Sequence, residues 1–252
     1  MHLKFGNRNK NTKVECYQVV NAILYRLKTG CQWREIPLKQ FFRTSYRWQS
    51  VYYHFNKWTI DGSWENLWSA VLRKYKNKLD MSSIQLDGSH TCAKRGGENT
   101  AYQGRKRAKT TNMLILTDNN GIPLSCSEPI AGNHNDAYNL SEIMEQMLSN
   151  INHSDICTKG LFLNADAGFD VEDFRSFCSK NEIIDNIALN RRNGTDFDLL
   201  FDHLLYKNRF VIERTNAWID AFKALLIRFE TKSIFWKALH LLAFTIILLR
   251  QL

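Results

Sequence analysis

The chain has 252 residues, 44% of them hydrophobic and 23% charged, with only 3 prolines and a formal net charge of +9. This composition excludes a disordered, collagen-like or low-complexity chain and is sufficient for a full hydrophobic core. The charge is uneven: residues 1–80 hold 15 Lys+Arg against 5 Asp+Glu, and the remainder holds 19 against 20, so a phosphate-binding module is expected in the N-terminal third.

The first eighty residues follow helical spacing. Val19, Val20, Ile23, Leu24 and Leu27 form one apolar stripe, and Gly30 is placed to cap that helix. A second helix is expected over 44–58, with Trp48, Val51, Tyr52 and Phe55 inward and Arg43, Arg47, Ser50, His54 and Lys57 as a basic stripe. A third helix follows Asp61-Gly62-Ser63, its buried face made by Trp64, Leu67, Trp68, Val71, Leu72 and Tyr75. Residues 1–80 thus read as a helix-turn-helix-like DNA-binding module, with Arg43 and Arg47 as DNA contacts.

The periodicity changes after residue 82. SSIQLDGSH reads as a strand. The segment after it, KRGGENTAYQGRKRAKT, reads as a flexible basic loop. Its Lys94, Arg95, Arg105, Lys106, Arg107 and Lys109 are candidates to clamp a DNA backbone. TTNMLILTD and IPLSCSEPI flank Asn119-Asn120-Gly121, a hairpin signal. A helix is expected over 136–150, with Leu140, Ile143, Met144 and Met147 on one face. GLFLNAD is a strand, Val171 to Ser179 a helix, and IIDNIALN a strand ending at Arg191 and Arg192, two further candidate contacts. Single helices are expected over 209–226 and 234–251. The apolar run Leu241–Leu249 is shorter than the roughly 20 residues a membrane span needs, so a buried helix is expected and no membrane partner. This order is that of an RNase H-like α/β domain over 81–252.

The six cysteines form no CxxC pair or Cys/His quartet, which disfavours a zinc site. No secretory leader is read, so free thiols in a reducing cytoplasm are expected.

Three acidic residues carry the chemistry. Asp87 and Asp166 end strand-like runs, and Glu213 lies in helical phase with Tyr206 and Arg209. Three carboxylates converging on hard divalent cations suit in-line phosphodiester chemistry, with Mg²⁺ as cofactor and Mn²⁺ as substitute. Arg209 and Tyr206 beside Glu213 would hold a phosphate.

These residues resemble the bacterial insertion-sequence transposases of the DDE class, in the group with the Tyr-x2-Arg-x3-Glu signature. NAILYRLKTGCQWREIP and WTIDGSWENLW resemble that group's N-terminal segments. LDGSH is similar to its first catalytic segment, ADAGFD to its second and YKNRFVIERTNAWIDAFKALLIRFE to its third. AGNHNDAYNL also resembles a segment of the group, which makes His134 and Asp136 secondary candidates. The resemblance implies cleavage and strand transfer at the ends of an insertion sequence, by a homo-oligomer, a dimer on double-stranded DNA, associated with the bacterial nucleoid. A hydrolytic nuclease on the same scaffold and a non-catalytic, transposase-derived DNA binder are the alternatives. Two positions depart from the group: Asp220 stands where a basic residue is usual, with Lys223 nearest, and Ala167 follows the second acid.

Overall fold

The computed structural model describes residues 14–190 and 201–251. Helix α1 (Cys16–Thr29) buries Val19, Ile23 and Leu27 completely. It stops at Gly30, whose φ of 69° lets its N–H donate to the Arg26 carbonyl. A Cβ there would also press on the Lys223 backbone at 3.1 Å. After a 3-10 turn at Trp33–Glu35 come the short α2 (Leu38–Phe41), α3 (Trp48–Ile60) and α4 (Ser63–Tyr75).

Helix α3 begins four residues later than expected. Arg47 is extended at its N-cap, so Arg43 and Arg47 precede the helix and are exposed there, rather than lying on its face. His54 leaves the expected stripe altogether. It is 1% exposed and packs its ring against Trp58. Burial, and then the nearby Lys57 charge, push its pKa down to about 4, which keeps it a neutral core residue.

The sheet is built around β1 (Ser83–Cys92). On one side β1 pairs antiparallel with β3 (Ala108–Thr117), which in turn pairs with β2 (Ala101–Gln103), β4 (Pro123–Cys126) and β5 (Ile130–Ala131). On the other side β6 (Phe162–Ala165) and then β7 (Ile184–Ile187) run parallel to it, giving the order β2-β3-β1-β6-β7. A central strand flanked by an antiparallel hairpin and two parallel strands is the RNase H-like arrangement. Helices α5 (Leu140–Asn152) and α6 (Glu172–Lys180) link the parallel part. The β3–β4 turn is held by Asp118, whose Oδ1 accepts from the N–H groups of Asn120 and Ile122.

Two expectations are corrected here. The basic stretch after β1 is not one loose loop: Arg105, Lys106 and Arg107 sit at the tip of the β2–β3 hairpin, and Lys109 is on β3. The helix expected over 209–226 is broken. A single-turn α7 (His203–Tyr206) runs into a 3-10 turn at Lys207–Phe210, then α8 (Val211–Asp220), then α9 (Lys223–Leu226). Phe222 is extended and 4% exposed, so the chain leaves the helix to bury that ring.

The last helix, α10 (Ser233–Gln251), is long and apolar enough, by length and composition alone, to cross a membrane. It packs instead on α1, α3, α4, β4, α8 and α9, with most of its residues buried. One continuous core joins it to the N-terminal helices and the sheet. Trp68 of α4 donates its indole N–H to the Leu124 carbonyl of β4 at 3.1 Å, across the expected boundary near residue 80.

Across the three parallel strands lies a row of buried amides. Gln85, Asn164 and Asn186 are neighbours in register on β1, β6 and β7. Asn164 donates to Gln85 Oε1 at 2.8 Å, and Asn186 donates to Asn164 Oδ1 at 2.7 Å. The row continues onto the segment entering α7, where Asn164 and Asn186 donate to the carbonyls of Leu205 and Asp202. Replacing Asn164 by Leu strands several of these buried groups, at roughly 1–3 kcal/mol each. Asn164→Leu is therefore expected to lower unfolding stability in urea by about 2–5 kcal/mol, whereas a loss below about 1 kcal/mol would show the row to be dispensable.

Candidate active site

The middle of β1, the end of β6 with its Asp166 turn, and the α7–α8 segment come together: the Lys207–Phe210 turn contacts β1 and β6, and α8 contacts β1. Asp87 is half-buried near the middle of β1, opposite Ile115 of β3. Its pKa is pushed up to about 6. Burial is the largest cause. The Gly88 N–H and the Arg209 charge oppose it, and the carboxylates of Asp166 and Glu213 add to it. Three of the four candidate charged groups thus act on the fourth.

Asp166 follows β6 directly and caps the 3-10 turn Ala167–Phe169, with its Oδ1 accepting from the Gly168 N–H at 2.8 Å. Glu213 is exposed in the first turn of α8. Arg209 is half-buried in the preceding 3-10 turn, 5.7 Å from the Tyr206 ring and 5.5 Å from the Phe210 ring. Its Nε is buried without a hydrogen-bond partner, and among the described residues it forms no ion pair with Glu213. The guanidinium is held by aromatic faces and keeps its donors for another anion.

The secondary candidates divide. Asp136 accepts from Asn112 Nδ2 at 2.9 Å, and its Oδ1 lies 2.6 Å from where a Cβ on Gly88 would stand. A Cβ on Gly168 would stand 2.9 Å from Asp166 Oδ1 and 3.7 Å from Asp136 Oδ2. Asp136 therefore reaches both acid-bearing segments, and Gly88 makes room for it. His134 stacks on Tyr138 at 3.6 Å instead. The hairpin-tip Arg105 and Lys106 bear on His90, three residues beyond Asp87, while Arg107 and Lys109 are exposed beyond them. Arg43 and Arg47 are exposed ahead of α3 in the N-terminal helical region. Arg191 and Arg192 fall outside the described residues.

Among the described residues, no three His, Cys, Asp or Glu side chains already form a closed metal cage. Asp166 has one oxygen turned into its own loop. The donor chemistry nevertheless fits a hard divalent cation: the candidate ligands are all oxygen, and Asp87 is a half-buried carboxyl raised chiefly by burial, with the Asp166 and Glu213 carboxylates adding to the rise.

Sequence reading missed Asn112 and the amide row. The signal was present: Gln85 and Asn164 each stand two residues before an acid, as polar residues inside apolar strands.

Comparison with known proteins identifies the family. Residues 79–249 match the profile of the "DDE superfamily endonuclease" family, well over half of the chain. The chain belongs to the DDE endonuclease superfamily. Residues 3–68 match a second profile, "Putative transposase of IS4/5 family"; together the two matches make the chain an insertion-sequence DDE transposase. No curated protein matches it. Remote similarity extends to solved Mos1 structures. "Mos1 transposase paired-end complex with left transposon end" is 12% identical, covering 95% of this chain and 80% of that one with a TM-score of 0.33. "Structure of Mos1 transposase catalytic domain and Raltegravir with Mg" is 14% identical, covering 72% and 89% with a TM-score of 0.31.

The raised pKa of Asp87 sets a pH dependence for this transposase. A carboxyl raised in the folded state contributes stability that is complete below the unfolded value near 4 and is lost as pH rises through about 6. Asp118, also raised to about 6 by burial, acts in the same direction. In chelator, stability is expected to fall between pH 4 and 7. Asp87→Asn should remove one share of that fall, on the order of 2–3 kcal/mol, and melt higher than the parent at pH 7. Mn²⁺ should raise the melting temperature of the parent but not of the variant. Parallel melting curves for the two proteins across this range would refute the assignment.

Proposed function

We propose that Asp87, Asp166 and Glu213 are the catalytic carboxylates, that together they hold divalent metal, Mg²⁺ or Mn²⁺ in its stead, and that the enzyme cuts and joins strands at the ends of its own insertion sequence. The observation that carries this reading is the charge coupling at Asp87: two carboxylates and one guanidinium converge on a carboxyl whose burial already disfavours its charge. A bound cation would supply activation of the attacking water or 3′-OH and neutralise charge on the leaving oxygen. Asp87 would hold such a cation in its ionised form, so metal affinity would rise with pH. Arg209, braced by Tyr206, holds a phosphate of the terminal strand beside the carboxylates. Its planar fork does this bidentately. Arg105, Lys106, Arg107 and Lys109 grip flanking backbone, and Arg43 and Arg47 grip DNA from the N-terminal helices. The working unit is a dimer on double-stranded DNA, acting in the bacterial cytoplasm at the nucleoid.

Cleavage assays on a duplex carrying the element's end, beside a scrambled duplex, test the reading. Asp87→Asn, Asp166→Asn and Glu213→Gln are each expected to lower Mg²⁺- or Mn²⁺-dependent cleavage by about 10³-fold or more, with DNA affinity changed less than about threefold. Arg209→Lys should impair cleavage at the end-containing duplex selectively. Near-parental cleavage by any carboxylate variant removes that residue from the site. Equal cleavage of both duplexes by the parent, and equal loss with Arg209→Lys, would reduce the activity to that of a general nuclease.

The N-terminal contacts are tested on the full chain, because the first helices share their core with α10. Arg43→Ala with Arg47→Ala should weaken duplex binding and flatten the dependence of log affinity on log salt by about two units. An unchanged slope would leave both arginines as solvated surface.

A further inference from the structure

The turn between β3 and β4 grips α8 next to Glu213, and no role described above uses that contact. Thr215 is 0% exposed, and its hydroxyl donates to the Gly121 carbonyl. The Val211 carbonyl, one turn back in α8, is farther from that hydroxyl at 3.4 Å. A hydroxyl has one proton to give, and the shorter contact takes it. Arg214 donates to the Asn120 carbonyl, with its guanidinium 5.1 Å from the Trp218 ring centroid. The two residues after Glu213 therefore bind two successive carbonyls of one turn. Gly121, at a φ of 78°, permits the close approach. A Cβ there would stand 2.9 Å from the Val211 carbonyl oxygen and 3.0 Å from Thr215 Oγ1.

The turn is itself tied to the strand that carries Asp87. Asp118 braces it from within, and Asp118 Oδ2 also accepts from the Asp80 N–H at 2.9 Å. Asn119 donates to Asp80 Oδ2 at 2.9 Å and accepts from the Ser83 hydroxyl at 2.9 Å. Ser83 Oγ in turn accepts from Gln85 Nε2 at 2.9 Å. This chain of hydrogen bonds runs from the turn along β1 into the amide row, and Asp87 stands two residues beyond Gln85. One turn thus connects the strand of the first acid to the helix of the third.

We infer that Thr215 and Gly121 are positioning residues that set where Glu213 stands relative to Asp87. The inference rests on the proposed role of the three carboxylates and adds to it the means by which the third is placed. Thr215 is two residues beyond Glu213, about 200° round the helix axis, so the buried anchor and the exposed carboxylate lie on opposite sides of α8. Without the anchor, α8 is free to roll or slide against β1. A shift of about 1 Å at a group that must meet a reacting centre costs on the order of 10²-fold, and loss of a residue that orients a metal ligand costs about 10–100-fold in metal affinity or activity.

The test uses the full chain and two readouts. One is the Mn²⁺ concentration that gives half-maximal thermal stabilisation without DNA. The other is the Mn²⁺ concentration for half-maximal cleavage of the end-containing duplex, measured well below each variant's melting temperature. Thr215→Val keeps the side chain's volume and removes its donor. It should raise both concentrations about tenfold, and Thr215→Ser, which keeps the hydroxyl, should bring them back to within about threefold of the parent. Trp68→Phe, which breaks the buried hydrogen bond from α4 to β4, is the control for stability alone: it should lower the melting temperature and leave both concentrations unchanged. Should Thr215→Val fail to fold, Arg214→Ala loosens the same contact from an exposed position. It should raise both concentrations, although loss of a cation beside metal ligands would by itself lower them. Parental Mn²⁺ dependence in Thr215→Val, or an unchanged or lower requirement in Arg214→Ala, overturns the inference, as does a shift of equal size in Trp68→Phe. Parental Mn²⁺ binding and cleavage in Glu213→Gln would instead remove Glu213 from the carboxylate reading, and the inference with it.

Discussion

The geometry of the site depends on the registered row of amides across β1, β6 and β7. Gln85, Asn164 and Asn186 lie side by side on three parallel strands, and two of them stand two residues before Asp87 and Asp166. Because side chains alternate along a strand, fixing these positions fixes which face the acids use. A slip of one residue would bury polar groups without partners and turn each acid to the opposite side. The row also reaches the backbone of Asp202 and Leu205, and Asp202 Oδ1 accepts from the first N–H groups of α7. Side-chain hydrogen bonds that run across the paired strands thereby also set the entry point of the segment that carries Tyr206, Arg209 and Glu213.

Charge is arranged around this frame with little waste. Asp87 is kept partly neutral by burial and by its acidic neighbours, which lowers the cost of holding several carboxylates close together without a cation. Arg209 is steadied by ring faces rather than by a carboxylate, so its charge is not consumed internally. If Asp87 holds the metal as proposed, stability of the unliganded protein and readiness to bind metal pull in opposite directions at that residue.

The sequence made the strands, the hairpin turn and the acids legible, because alternation and an Asn-Gly turn are local signals. Asp87 and Asp166 stood out as charges at the edge of apolar runs. The break after Asp220 was not legible, because helical phase continues through Phe222 and only the pull of the core on that ring interrupts it. The basic stripe failed at His54 for a related reason: a titratable side chain in helical phase with arginines looks exposed until the tryptophan packed beside it is known. Arg43 and Arg47 kept their exposure but lost their helix. The contact of Asp136 with Gly88 and Gly168 was invisible, since it joins three segments far apart in the chain.

Helix α10 has a genetic consequence. It is far from α1 in sequence, yet the first helices and the central sheet both pack against it. A nonsense or frameshift lesion upstream of residue 233 deprives both halves of their common core. Such a lesion is therefore not expected to leave behind a folded N-terminal fragment that occupies the element's ends and blocks intact copies. Inactivated copies that still interfere in trans should instead be full-length proteins with missense changes at the carboxylates.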